Sequence, residues 1–181
     1  MRIVTLVPIE AAPSSASIGD LAEALRAVFR VEVRVRAPWF DAEDVYEPSR
    51  GQYASTALLA LLLKAPRQIE PDGEKLLGVT SVDLFIPVLT FVFGEAQLDG
   101  RAAVVSTHRL RSELYGLEPD GARLRERLIK ESIHELGHTY GLVHCHDPEC
   151  VMRSSTYVEE IDLKSAEFCD TCRRILEPAR A

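Results

Sequence analysis

Three histidines and a glycine at fixed spacing, His134, His138, Gly141 and His144, constrain this chain more than any other feature. The first two lie in His134-Glu135-Leu136-Gly137-His138, an H-E-x-x-H string. Around it the apolar residues Leu124, Leu128, Ile129, Ile133, Leu136 and Tyr140 recur mostly at three- and four-residue steps. That period predicts a helix from Gly121 to Tyr140, opened by Asp120 as N-cap and ended by Gly141. A helix sets residues i and i+4 on one face, so the two imidazoles converge on a point where one cation fits. Gly141 admits a left-handed turn that swings His144 back as a third ligand. Three imidazole nitrogens with a fourth position open are the ligand set of a catalytic zinc rather than a structural one.

Zinc so held lowers the pKa of its water to about 7 and polarises a carbonyl. Glu135, next to the first ligand, is placed to take the water's proton and hand it to a leaving amine. The chemistry implied is metal-assisted hydrolysis, most naturally of a peptide bond. Four cysteines follow in two pairs, Cys145 with Cys150 and Cys169 with Cys172. As thiolates they can meet around one tetrahedral ion, a closed site whose role is structural, and zinc binding would then help fold a segment with little core of its own. Two disulfides, or four reduced thiols, are the alternative. His146 fits neither ligand pattern, and His108 reads as an ordinary surface or core histidine.

The rest of the chain has to supply a scaffold. At 181 residues and 46% hydrophobic content it can bury one core, so a single domain is expected: residues 1–141 with a sheet and the long helix, and residues 142–181 as a small zinc-pinned part. Ile3 to Ile9 reads as a first strand rather than a signal peptide. The loop Ala11 to Ser17 is followed by an apolar stripe, Ile18 to Phe29, that predicts a helix, and the alternation of Val31 to Arg36 predicts a strand. After the acidic, aromatic loop Trp39 to Gly51, Gln52 to Lys64 reads as a buried helix. Leu76 to Leu84, Val88 to Phe93 and Ala102 to Thr107 read as strands, the second as an exposed sheet edge along which an extended substrate would lie. A last helix is expected near Leu163 to Leu176. This order gives an α/β (α+β) architecture, a mixed sheet with helices packed on it.

The formal charge of -7 and a pI of about 5.3 leave no cationic surplus for nucleic acid or an anionic membrane, and no apolar run spans a bilayer. A monomer in the cytoplasm, acting on a peptide or protein substrate, is the expectation.

The extended H-E-x-x-H-x-x-G-x-x-H motif, with Met152 eight residues after His144, resembles that of the metzincin metalloproteases. The interleaved His144-Cys145, Cys150-Val151-Met152 and Cys169-Asp170-Thr171-Cys172 narrow the resemblance to the archaemetzincins. It implies a zincin-type fold, a methionine turn beneath the metal formed by Met152, and two zinc ions per chain, one catalytic and one on four cysteines. Two other readings remain open. One is a zinc-stabilised peptide-binding or regulatory protein with little catalysis, against which Glu135 argues. The other is an aminopeptidase, in which Glu131 or the acidic loop Asp41 to Glu47 would hold the substrate's free amine.

Overall fold

The computed structural model describes residues 2–65 and 73–176. The chain runs through β1 (Ile3–Pro8), α1 (Ser15–Phe29), β2 (Glu32–Val35), β3 (Tyr46–Glu47), β4 (Gln52–Ala54), α2 (Ser55–Leu62), β5 (Lys75–Thr80), β6 (Leu84–Phe85), β7 (Gly94–Ala96) and β8 (Ala102–Ser106). It continues through the long α3 (Gly121–Thr139) and two short helices, α4 (Val158–Leu163) and α5 (Asp170–Leu176). The main sheet has the order β2-β1-β5-β8-β7, with β7 antiparallel and the other neighbours parallel; β3, β4 and β6 form a second, smaller sheet. This is the mixed α/β architecture expected from the element order. Among the described residues, no helix is long and apolar enough to cross a membrane.

Side chains alternate across the main sheet. Val4, Leu6, Leu77, Val79, Ala103 and Val105 join one core cluster with α1 and α3, whereas Val7, Leu76, Ala102 and Val104 join another with α2. With both faces covered, the three central strands are apolar almost throughout. The first cluster also takes in Val151, Met152, Ile161, Phe168 and Leu176, so the chain after α3 packs onto the helix that carries the histidines.

Several boundaries differ from the sequence reading. α1 begins at Ser15, because the Ser14 hydroxyl accepts the Ser17 amide and caps it ahead of the apolar stripe. Gln52 to Ala54 is strand, not helix: Gln52 is buried, and its Nε2 donates to Asp83 Oδ2 and to the Thr90 carbonyl, partners more than thirty residues away in sequence. Leu76 to Leu84 splits into β5 and β6. The final helix is two helices parted at Lys164 to Cys169. The stretch Val88 to Phe93 is no edge strand; Val88 is 83% exposed, and only Val92 makes an isolated bridge, to Leu84. The edge of the main sheet on this side is β7, which begins at Gly94. A Cβ on Gly94 would lie 2.6 Å from the Val104 carbonyl oxygen and 2.7 Å from Glu135 Cγ, so the edge reaches the long helix only with glycine there.

Candidate active site

α3 is held at both ends by the residues that predicted it. Asp120 Oδ1 accepts the Arg123 amide at 2.9 Å. At the other end Gly141 takes φ of 85°, while its N–H donates to the His138 carbonyl and that of Leu142 to the Gly137 carbonyl. These two bonds form a Schellman termination. The reversed chain then brings His144 beside His134 and His138, whose ring centroids are 4.7 Å apart and 5.3 and 5.0 Å from that of His144. One nitrogen from each ring lies within 4.8 Å of the other two.

The proton positions follow from the partners. His134 Nδ1 is 2.9 Å from the Val151 carbonyl oxygen and His138 Nδ1 is 2.7 Å from that of Leu142. A carbonyl only accepts, so each Nδ1 carries the hydrogen and each Nε2 presents a lone pair. The two Nε2 atoms face one another at 3.1 Å. Burial holds His134 well below the usual histidine range and also lowers His138 and His144, so all three rings are neutral at pH 7. Neutral imidazoles with converging lone pairs and oriented outer hydrogens fit a zinc ion, whose roughly 2.0–2.1 Å bonds put tetrahedral ligand nitrogens about 3.3 Å apart.

Glu135 is buried beside them, and desolvation pushes its carboxyl well above the usual carboxylate range, with Glu131 adding to the effect and Lys164 opposing it. Two cavities meet over His134, Glu135, His144 and Gly94. One, of about 440 Å³, extends past Phe91, Phe93 and Glu131 to the segment Ser154–Tyr157. The other, of about 350 Å³, extends past His138 to Leu98 and Val143. Met152 is fully buried against the helix at Gly137, and its carbonyl accepts the Cys145 amide.

The four cysteine sulfurs also converge, all within 4.8 Å of one another. Cys145 Sγ and Cys169 Sγ are 3.7 Å apart, beyond the roughly 2.05 Å of a disulfide and close to the roughly 3.8 Å edge of a tetrahedron with 2.3 Å zinc–sulfur bonds. His146 is exposed and His108 accepts from Arg111 at 3.0 Å on its Nδ1; neither joins the clusters.

Two acidic readings meet a different fate. Glu131 is 3% exposed and its Oε1 lies 2.8 Å from Lys164 Nζ. In the acidic loop, Glu43 accepts from Tyr53 and Glu47 from Ser49, and neither lines the two cavities. Lys164 carried no signal in the sequence, since it ends a short polar helix thirty-three residues from its partner; the ring-orienting carbonyls of Val151 and Leu142 belong to the backbone and have none to give.

The archaemetzincin of Methanopyrus kandleri is 46% identical over 135 residues, 75% of this chain and 71% of its own. Its crystal structure superposes with a TM-score of 0.83 at 37% identity, covering 97% of this chain and 93% of that one. A zinc-dependent peptidase from Methanocorpusculum labreanum superposes with a TM-score of 0.82 at 33% identity, covering 96% and 99%. The fold is thus that of a zinc metallopeptidase. Peptidase family M54 matches residues 25–178, and the chain belongs to that family, the archaemetzincins.

Proposed function

We propose that this zinc metallopeptidase cleaves peptide bonds with zinc on His134, His138 and His144 and with Glu135 as the general base. The observation that carries the reading is the pair of Nε2 lone pairs facing each other at 3.1 Å in neutral rings, an arrangement that a shared cation relieves. Zinc bound there supplies a Lewis acid for the scissile carbonyl and a water acidic enough to ionise near neutral pH. Glu135 would take the proton of the attacking water and return it to the leaving amine. The Val151 and Leu142 carbonyls keep His134 and His138 in the ligating tautomer, and Met152 forms the floor beneath them. Among the described residues β7 pairs as a strand with β8 alone, while its Glu95 side chain accepts from Ser55 and Thr56 of α2, so its outer backbone edge is open to an extended peptide added as a further strand, running over both cavities.

A second zinc, on Cys145, Cys150, Cys169 and Cys172, is structural and ties residues 142–176 together as a small unit beside the first part of the chain. Four thiolates suit a reducing compartment, and we assign the protein to the cytoplasm as a monomer.

The test is digestion of a diverse peptide mixture by zinc-loaded protein beside Glu135→Ala, read by mass spectrometry. Losing a general base costs about 10²-fold or more, so products of this site vanish in the variant while its zinc content stays. Products that persist in Glu135→Ala, or no cleavage by metallated wild type, would leave a zinc-stabilised binding protein as the better reading.

A further inference from the structure

We propose that Glu131 selects the substrate, favouring an uncharged side chain with a hydrogen-bond donor at its tip, tyrosine foremost, in one of the two positions flanking the scissile bond. The inference rests on the catalytic reading above, since the cavity that Glu131 lines opens directly beside His134, His144 and Glu135.

Three observations lead to it. The first is depth: Glu131 is 3% exposed, yet it lines the 440 Å³ cavity, enough space for one large side chain. The second is an unmet acceptor. The carboxylate has about four lone-pair sites, and one oxygen faces the Lys164 ammonium at 2.8 Å. That oxygen is Oε1, which makes the ion pair without a well-aligned hydrogen bond, and among the described residues no hydrogen bond reaches Oε2. A buried carboxylate so placed wants a donor, and substrate is what the cavity admits. The third is the walls. Phe91 and Phe93, in edge contact at 5.4 Å, and Leu89 line the same cavity and offer an apolar flank to a ring or long stem.

Lys164 decides which donor. Its side chain is wholly buried and fixed to the Arg153 carbonyl as well as to Glu131. A lysine or arginine tip brought to Glu131 would meet this ammonium in a poorly screened site, and a glutamate or aspartate tip would meet Glu131 itself. An uncharged hydroxyl on an aromatic ring satisfies the carboxylate, repels neither charge and matches the walls. The pair has a functional rationale for this reason: two apolar residues of similar size would give the fold comparable stability, but no acceptor in the cavity.

The experiment uses zinc-loaded full-length protein and peptides differing only in the residue flanking the cleaved bond, placed on each side in turn: tyrosine, O-methyltyrosine, phenylalanine, glutamine, lysine or glutamate. At one of the two positions tyrosine should exceed phenylalanine in kcat/KM by about 10-fold or more, because a site built to pair a hydroxyl rejects its absence strongly. O-Methyltyrosine, which keeps the oxygen and loses the donor, should fall to the level of phenylalanine. In the Glu131→Leu/Lys164→Met double variant, checked for folding by its melting temperature and zinc content, the tyrosine-to-phenylalanine ratio should collapse to about one. Equal rates for tyrosine and phenylalanine in wild type, a preference for lysine or glutamate, O-methyltyrosine cut as well as tyrosine, or a ratio unchanged in a folded double variant would each overturn the proposal. The O-methyltyrosine comparison decides the matter even if the double variant fails to fold. Cleavage that survives Glu135→Ala would instead mark failure of the catalytic reading.

Discussion

A methyl group on Gly137 would sit 2.5 Å from Met152 Sδ and 3.2 Å from its Cε, with Phe168 Cε1 at 3.3 Å behind. All of these atoms belong to residues in the buried core, so the thioether has little room to retreat. Alanine in mid-helix gains about 1 kcal/mol over glycine in propensity, whereas forcing an atom into a packed core costs about 1–3 kcal/mol. Gly137→Ala should therefore lower the urea midpoint slightly, by a net loss of up to about 2 kcal/mol, and slow peptide cleavage by tilting Met152 under the histidines. A double-mutant cycle checks the cause: Gly137→Ala combined with Met152→Ala should be less destabilised than the sum of the single changes. At this scale the sequence was readable where spacing carried the information. His134, His138 and His144 sit in a fixed string, and Gly141 has the positive φ of 85° that its place after the helix demanded. It was silent where a partner is remote or belongs to the backbone. Lys164 meets Glu131 only because α4 docks on α3, and nothing local announces the Val151 carbonyl beneath His134.

That docking is made by a row of ionic contacts on the side of α3 facing α4. Arg127, 2% exposed, donates through Nε and Nη2 to the two Asp162 oxygens at 2.7 and 2.6 Å and through Nη1 to the Leu110 carbonyl. Lys130 donates to the Ile161 and Asp162 carbonyls, and Lys164 meets Glu131. Together they fix the segment Ser154–Tyr157 that walls the larger cavity. The Arg127 guanidinium holds the Asp162 carboxyl below the usual carboxylate range. A carboxylate whose pKa is depressed by folding stabilises the protein above its unfolded pKa, and that contribution disappears as pH falls through the lower folded value. Asp162→Asn should thus cost about 1–3 kcal/mol at pH 7, moderated because the carboxylate is one-third exposed, and the gap from wild type should close below about pH 4. Denaturant midpoints of both proteins across pH 3–7 measure it; a gap that stays constant to pH 3 would sink the ion-pair account. Elements were legible where one periodicity ran without interruption, as in α1 and α3. They were misread where a distant pairing overrides the local pattern: β4 takes the first residues of an Ala- and Leu-rich run because β6 lies beside it, and β7 starts at Gly94 because Glu135 comes so near.

On the scale of the whole molecule, the chain after α3 contributes Val151, Met152, Ile161 and Phe168 to the core that also holds β1, β5, β8 and α1. Its own elements are two helices of six and seven residues, too short to stand by themselves in water. Met152, the Ser154–Tyr157 wall of the larger cavity and the Val151 carbonyl beside His134 Nδ1 all belong to this segment, so the proposed site depends on its order. In the proposed structural site, zinc on the four cysteines would fasten it at Cys145 and Cys150 on one side and at Cys169 and Cys172 on the other. Because a structural zinc contributes its binding free energy to folding, the two metal sites should separate cleanly by variant. Wild type should carry about two zinc per chain by metal analysis. Cys172→Ser should lose one zinc and lower Tm by about 10 °C or more, since each kcal/mol shifts a domain of this size by about 2–4 °C. His138→Ala should also lose one zinc, yet melt much closer to wild type, because its site is built on a helix and turn that the core already supports. A zinc content that Cys172→Ser leaves unchanged, or a Cys172→Ser protein as stable as the parent, would show that packing alone orders the segment and that the cysteines hold no structural ion.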